Sequence, residues 1–112
     1  MWPEDLTRMR HMLESAREAM ALIKDRSRQD LDAERILSLA LVRLLEIVGE
    51  AASRVSKTTR LDFSEIHWAQ IVSLRNRLIH GYDEVDMDIL WEILTVDLPP
   101  LVARLDAIGD NG

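Results

Sequence analysis

The run Arg75-Asn76-Arg77-Leu78-Ile79-His80-Gly81-Tyr82 places two arginines, an amide, an imidazole and a phenol within about two helical turns. A guanidinium binds anionic oxygens through a planar fork of donors, and an imidazole moves protons near neutral pH. A phenol hydroxyl can accept a covalent group. Together these are the parts of a phosphate-chemistry site. The apolar pair Leu78-Ile79 predicts that one side of the run is buried.

On an ideal helix Arg75 and Tyr82 share a face, as do Asn76 and His80, whereas Arg75 and His80 lie roughly 140° apart. A long arginine can still reach an imidazole at the helix end. Gly81 is the expected stop. His80 would then sit in the last turn, where the helix dipole favours a cation. The histidines are His11, His67 and His80, so no pair has the i, i+4 spacing of a metal site. The glycines (Gly49, Gly81, Gly109, Gly112) form no phosphate-cradling loop, and there is no nucleophile elbow. A metal-free, cofactor-free acid–base mechanism is the enzyme reading that remains. Cleavage of RNA without a metal would use the substrate's 2′-hydroxyl as nucleophile. It needs a base, an acid and a cation for the developing phosphorane. One motif carries one histidine, and a symmetric dimer would supply two across a cleft. The plain alternative is a helix terminus whose arginines pair with the acids at 83 to 88 and whose Tyr82 merely packs.

The 112 residues suit a single domain, 1–112, with one modest core. The chain is 47% hydrophobic and has no cysteine, which excludes a disulfide framework and a thiolate metal site. It contains no apolar run long enough for a membrane span. The start Met1-Trp2-Pro3-Glu4-Asp5 has no apolar signal core, so a cytoplasmic location is expected. The net charge of −6 argues against nonspecific nucleic-acid binding. From Arg54 to Arg77 five bases face two acids, whereas from Asp83 to Asp97 there are six acids and no base. Such a junction is either a set of solvated faces in balance or a phosphate site whose acidic surroundings restrict access.

Helical periodicity runs throughout and strand-like alternation is absent. A first helix is predicted over 3–26: Pro3 suits its first position, Glu4 and Asp5 suit the dipole, and Leu6, Met9, Met12, Leu13, Ala16, Met20 and Ile23 form one stripe. A second is predicted over 31–56 with Asp30 as cap. Its middle is apolar on more than one side, which points to a dimer. Gly49-Glu50-Ala51-Ala52 would allow a close helix approach, with Glu50 beside it. Lys57-Thr58-Thr59-Arg60 reads as a connector. Asp62 with Glu65 reads as a capping box, with Leu61 and Ile66 as its staple, and starts a third helix near Phe63 that Trp68 restarts. A last helix begins near Asp86, is broken or kinked by Pro99-Pro100, and ends in a short piece that fades at Gly109. The expected fold is all-α, a four- to five-helix antiparallel bundle.

Arg75, four residues, His80, one residue, Tyr82 resembles the signature of HepT-like proteins, a minimal branch of the HEPN superfamily. The similarity extends through Leu44-Glu46-Ile47, Gly49-Glu50-Ala51, Trp68, Asp86, Trp91 and Asp97-Leu98-Pro99. It implies a dimeric HEPN-like helical domain with the two motifs facing one another. It also implies a metal-independent ribonuclease that is the toxin of a toxin–antitoxin pair. The implied partners are RNA and a minimal nucleotidyltransferase antitoxin, which can transfer AMP from ATP to the motif tyrosine. By position, Arg75 and His80 would be catalytic, Asn76, Arg77 and Glu50 supporting, and Tyr82 the site of AMPylation. Two departures stand out: His67 where many relatives have proline before the tryptophan, and an unusually acidic Tyr82-Asp83-Glu84. A non-catalytic, nucleotide-binding accessory dimer is the alternative the resemblance leaves open.

Overall fold

The computed structural model describes residues 1–79 and 84–111, without the side chains of Asp110 and Asn111. His80, Gly81 and Tyr82, the second half of the motif, therefore lie outside the described residues. Eight α-helices and one π segment are present among those described: α1 (Pro3–Leu22), α2 (Arg28–Ala33), α3 (Arg35–Ser53), α4 (Lys57–Asp62), α5 (Trp68–Val72), α6 (Leu74–Leu78), α7 (Met87–Glu92), the π segment (Ile93–Asp97) and α8 (Leu98–Asn111). The fold is an all-α bundle with one isolated bridge, Ile79 to Val85. No helix among the described residues is long and apolar enough to cross a membrane.

Helix α1 starts as predicted, with Pro3 in its first turn and Glu4 and Asp5 at the dipole's positive end. It buries Met9, Met12, Ala16 and Ala19 against α3 and α8, and ends at Leu22 rather than Arg26. Its N-terminus is tied down by a buried acid. The Asp5 carboxylate accepts bonds from the Ser56 N–H (2.9 Å), the Ser56 hydroxyl (2.6 Å) and the Thr59 hydroxyl (2.6 Å). Burial alone would raise its pKa, but these hydrogen bonds outweigh it and hold the carboxyl below its ordinary value of 3.8.

The predicted second helix is two. Ser27, not Asp30, caps the first piece, and the Asp30 carboxylate takes the Ser27 N–H at 2.8 Å. The chain then turns at Glu34, which is extended (φ −118°, ψ 90°), and the Ser38 hydroxyl bonds back to the Leu31 carbonyl. A polar tie inside an apolar run thus sets the break. The rest, α3, is the central helix: Leu37, Leu41, Leu44, Leu45 and Val48 are buried, while Ile36 and Leu39 stand on the outside.

The supposed connector 57–60 is helix α4. Ser56 caps it by accepting the Thr59 N–H, and Asp5 holds both residues. Asp62 consequently ends a helix instead of starting one, and Leu61 is exposed, so the predicted capping box and staple do not form. Trp68 does begin a helix, α5, after a turn. Asp86 caps α7, accepting from the Asp88 and Ile89 N–H groups at 3.0 Å each.

The break expected at Pro99-Pro100 takes the form of a π segment just before them, and the last helix does not end there. Their rings would crowd the carbonyls one α-turn back, at Thr95 and Val96, and they donate nothing to them. The chain widens into the π segment just before them, where the Leu98 N–H reaches the Ile93 carbonyl. α8 then continues directly through both prolines, burying Leu98, Leu101 and Leu105.

Candidate active site

The motif's first half sits on α6, a helix of five residues that cannot hold itself in water. Its position comes from its neighbours. Arg60 donates to the carbonyls of Ala52, Ser53 and Val55 at the end of α3 (3.0, 3.0 and 3.1 Å) and lies over the Trp68 ring. The Trp68 indole N–H bonds to the Phe63 carbonyl at 3.0 Å, which fixes the start of α5. Gly49 of α3 then packs so closely that a methyl group there would stand 3.2 Å from the Ile71 carbonyl oxygen. The small-residue approach predicted at Gly49 is therefore real, and it sets α5 and α6 against the central helix. Ser73 divides α5 from α6, and Leu74 and Leu78 are fully buried.

Helix α6 ends at Leu78, not at Gly81. Ile79 is extended (φ −103°, ψ 116°) and bridges Val85, and the Asp86 N–H donates to the Leu78 carbonyl at 2.9 Å. The expected helix stop at Gly81 is thus corrected to Leu78, and the relations drawn for His80 and Tyr82 lie outside the described residues. The cause is long-range. A β-branched residue takes a bridge to Val85, and the last-turn carbonyl finds a donor eight residues on.

Arg75 and Asn76 are exposed, and neither side chain has a hydrogen-bond or ion-pair partner among the described residues. Arg77 turns inward and donates to the Asp97 carboxylate at 2.6 Å, with both side chains largely covered. Arg77 thus has a partner outside the acids at 83 to 88, and Asp88 pairs with Arg28 at 2.7 Å. Glu50 lies on the exposed side of α3, pairs with Arg54 at 3.0 Å and lines a shallow groove with Arg8 and His11 of α1. Within one chain the structure does not bring it to α6. His80 and Tyr82 fall outside the described residues.

The residues flanking that segment line a groove of about 700 Å³. Ile79, Glu84, Val85 and Met87 form one side, and Arg35, Leu39, Val42 and Glu46 of α3 the other. Such a volume suits a small organic ligand. Sequence reasoning did not single out Arg35, nor the pairing of Asp97 with Arg77. Arg35 carries no local signal, and Asp97 reaches its arginine across 20 residues. Among the described residues no group of three potential metal ligands converges.

Comparison with known proteins gives a consistent result. The family described as ribonuclease HepT-like matches residues 12–108. A predicted RNase of Methanocaldococcus jannaschii is 32% identical over 97 residues, covering 87% of this chain and 89% of that protein. A predicted RNase of Caldanaerobacter subterraneus subsp. tengcongensis is 32% identical over 100 residues, covering 89% of each chain. A predicted ribonuclease HepT of Thermococcus cleftensis is 31% identical over 100 residues, covering 86% of this chain and 91% of that one. No solved structure matches.

Proposed function

We propose that this chain, which belongs to the HepT-like ribonuclease family, is a metal-independent endoribonuclease that acts as a symmetric dimer. Two chains would bring Arg75 and His80 of each to one cleft. One imidazole removes the proton of a 2′-hydroxyl, whose oxygen attacks the adjacent phosphorus. The other protonates the departing 5′-oxygen, leaving a cyclic phosphate. Arg75 offsets the negative charge that builds on the phosphorane, and Asn76 orients the phosphate or the imidazole.

The observation that carries this reading is the state of Arg75. A guanidinium stands exposed beside an amide, with no partner among the described residues, on a helix otherwise pinned from three sides. The exposed Ile36 and Leu39 on the central helix support the dimer, because a monomer gains nothing by leaving them in water. In the same reading the protein is the toxin of a cytoplasmic toxin–antitoxin pair. A nucleotidyltransferase antitoxin moves AMP from ATP to the Tyr82 oxygen, releasing pyrophosphate. The added charge and bulk, next to Asp83 and Glu84, would repel RNA from His80.

Induced expression should arrest growth, and His80→Ala and Arg75→Ala should each relieve it. Purified protein should cut RNA in the presence of a chelator. A His80→Ala protein as toxic as wild type would remove His80 from the mechanism. The groove beside the motif favours a second reading, a nucleotide-binding accessory subunit. Binding of AMP without cleavage of any RNA would select it.

A further inference from the structure

The geometry points to Asp97 as a positioning residue for the site, acting through Arg77 to hold α6 so that Arg75 is presented to substrate. This rests on the proposed role of Arg75. Besides the buried side chains of Leu74 and Leu78, three contacts locate α6 against the rest of the molecule. Gly49 sets its distance from α3, and the Asp86 N–H fixes its end at the Leu78 carbonyl. The Arg77–Asp97 pair, at 2.6 Å, is the only one of the three that acts on the turn bearing Arg75 through a side chain. Arg75 and Arg77 belong to the same five-residue helix, so a rotation that frees one moves the other.

Asp97 meets Arg77 because of the π segment. One residue of α-helix turns the chain by about 100°, so the extra residue of a π turn changes which side chain faces a given neighbour. In the register observed, Val96 is 60% exposed and Asp97 is covered. Asp97 ends the π segment, two residues before the first of the two prolines that an unbroken α register could not accommodate. Pro99-Pro100 thus have an effect on the motif helix far back in the chain: they turn the Asp97 carboxylate toward Arg77, 20 residues before Asp97.

The pair also assigns different work to the two arginines. Arg77 is compensated and largely covered, so it holds the helix. Arg75 is left to meet phosphate. If Arg77 itself bound RNA, removing Asp97 would free it and tighten binding.

The test uses Asp97→Asn, Arg77→Met and the exchanged pair Arg77→Asp with Asp97→Arg, beside wild type and Arg75→Ala. Each single variant should lower kcat by roughly 10- to 100-fold, the scale of a 1 Å misplacement, and leave KM within about threefold. The salt dependence of RNA binding should keep its wild-type slope in both, whereas Arg75→Ala should reduce it by about 0.7 for a single strand. The exchanged pair should recover most of kcat. Hydrogen exchange reads the helix without RNA. The Arg77 and Ile79 amides, which donate to Ser73 and Arg75, should lose protection in the single variants beyond any change in global stability and regain it in the exchanged pair. Full kcat in Asp97→Asn while Arg75→Ala is inactive would overturn the inference and leave the ribonuclease standing. Tighter RNA binding in Asp97→Asn would also overturn it. If wild type cuts no RNA, the ribonuclease reading fails, and unchanged protection at those two amides would then sink the positioning role as well.

Discussion

The Asp5 clamp makes the sharpest quantitative prediction. The carboxylate accepts a backbone N–H and two hydroxyls from the start of α4, at 2.6 to 2.9 Å, in a site only 3% exposed. A hydrogen bond to a charged group contributes about 1.5–3 kcal/mol, and buried donors left unmatched cost about 1–3 kcal/mol each. Asp5→Ala leaves three donors to be satisfied by water or to move, so a net loss of about 3–5 kcal/mol is expected at pH 7. Asp5→Asn keeps the shape but loses the charge and sets an amide among donors, and should cost about 2–3 kcal/mol. At a urea slope of about 1.5 kcal/mol per molar, the latter lowers the unfolding midpoint by about 1.5–2 M. The pH dependence provides the control. The folded-state pKa of Asp5 lies below the ordinary 3.8. Its stabilisation is therefore fully present above about pH 5 and disappears as pH falls through 3.8 and then through the folded value. The gap between wild type and Asp5→Asn should be flat from pH 7 to 5 and close below 3.8. Urea melts followed by circular dichroism, at one protein concentration because dimerisation would add to the reading, supply the numbers. A gap that stays constant down to pH 2.5, or one under about 1 kcal/mol at pH 7, would refute the account of a charged clamp.

Two further perturbations probe the packing that carries the site. Gly49→Val cannot keep the 3.2 Å approach to the Ile71 carbonyl, so α5 and α6 must shift, and activity should fall more steeply than the melting temperature. A folded, fully active Gly49→Val protein would show that the close approach does not locate the site. The double variant Ile36→Glu with Leu39→Glu should leave the monomer's stability within about 0.5 kcal/mol, because both side chains are already exposed, while sedimentation should show loss of the proposed dimer and a fall in the proposed cleavage. A dimer that survives both charges would place the interface elsewhere.

What the sequence disclosed follows the range of the interactions involved. The start of α1, the helix start near Asp86, the helix start at Trp68 and the two-sided apolar character of the central helix depend on neighbours a turn or two away. All four were legible. Helix α4 was hidden in a polar stretch because its stability comes from Asp5, 51 and 54 residues earlier. The break at Glu34 has no proline or glycine to mark it. The end of α6 looked like Gly81 because glycine is the commonest local stop, yet the bridge to Val85 stops it three residues sooner. For the site, Arg75 and Asn76 could be chosen from residue type alone, and their exposure agrees with that choice. That Arg77 pairs inward could not be read, because its partner Asp97 lies 20 residues away. Glu50 was selected for its place next to Gly49, but a step of about 100° along a helix separates a buried contact from an exposed ion pair with Arg54.

The Arg77–Asp97 pair also orders events during synthesis. The ribosome finishes the motif at Tyr82, 15 residues before it reaches Asp97. At about 5–20 residues per second that is about 1–3 s in which a nascent chain carries the motif without the Arg77–Asp97 contact. A chain released anywhere in that window carries the whole motif, lacks Asp97 and α8, and is expected to be harmless to the cell that made it.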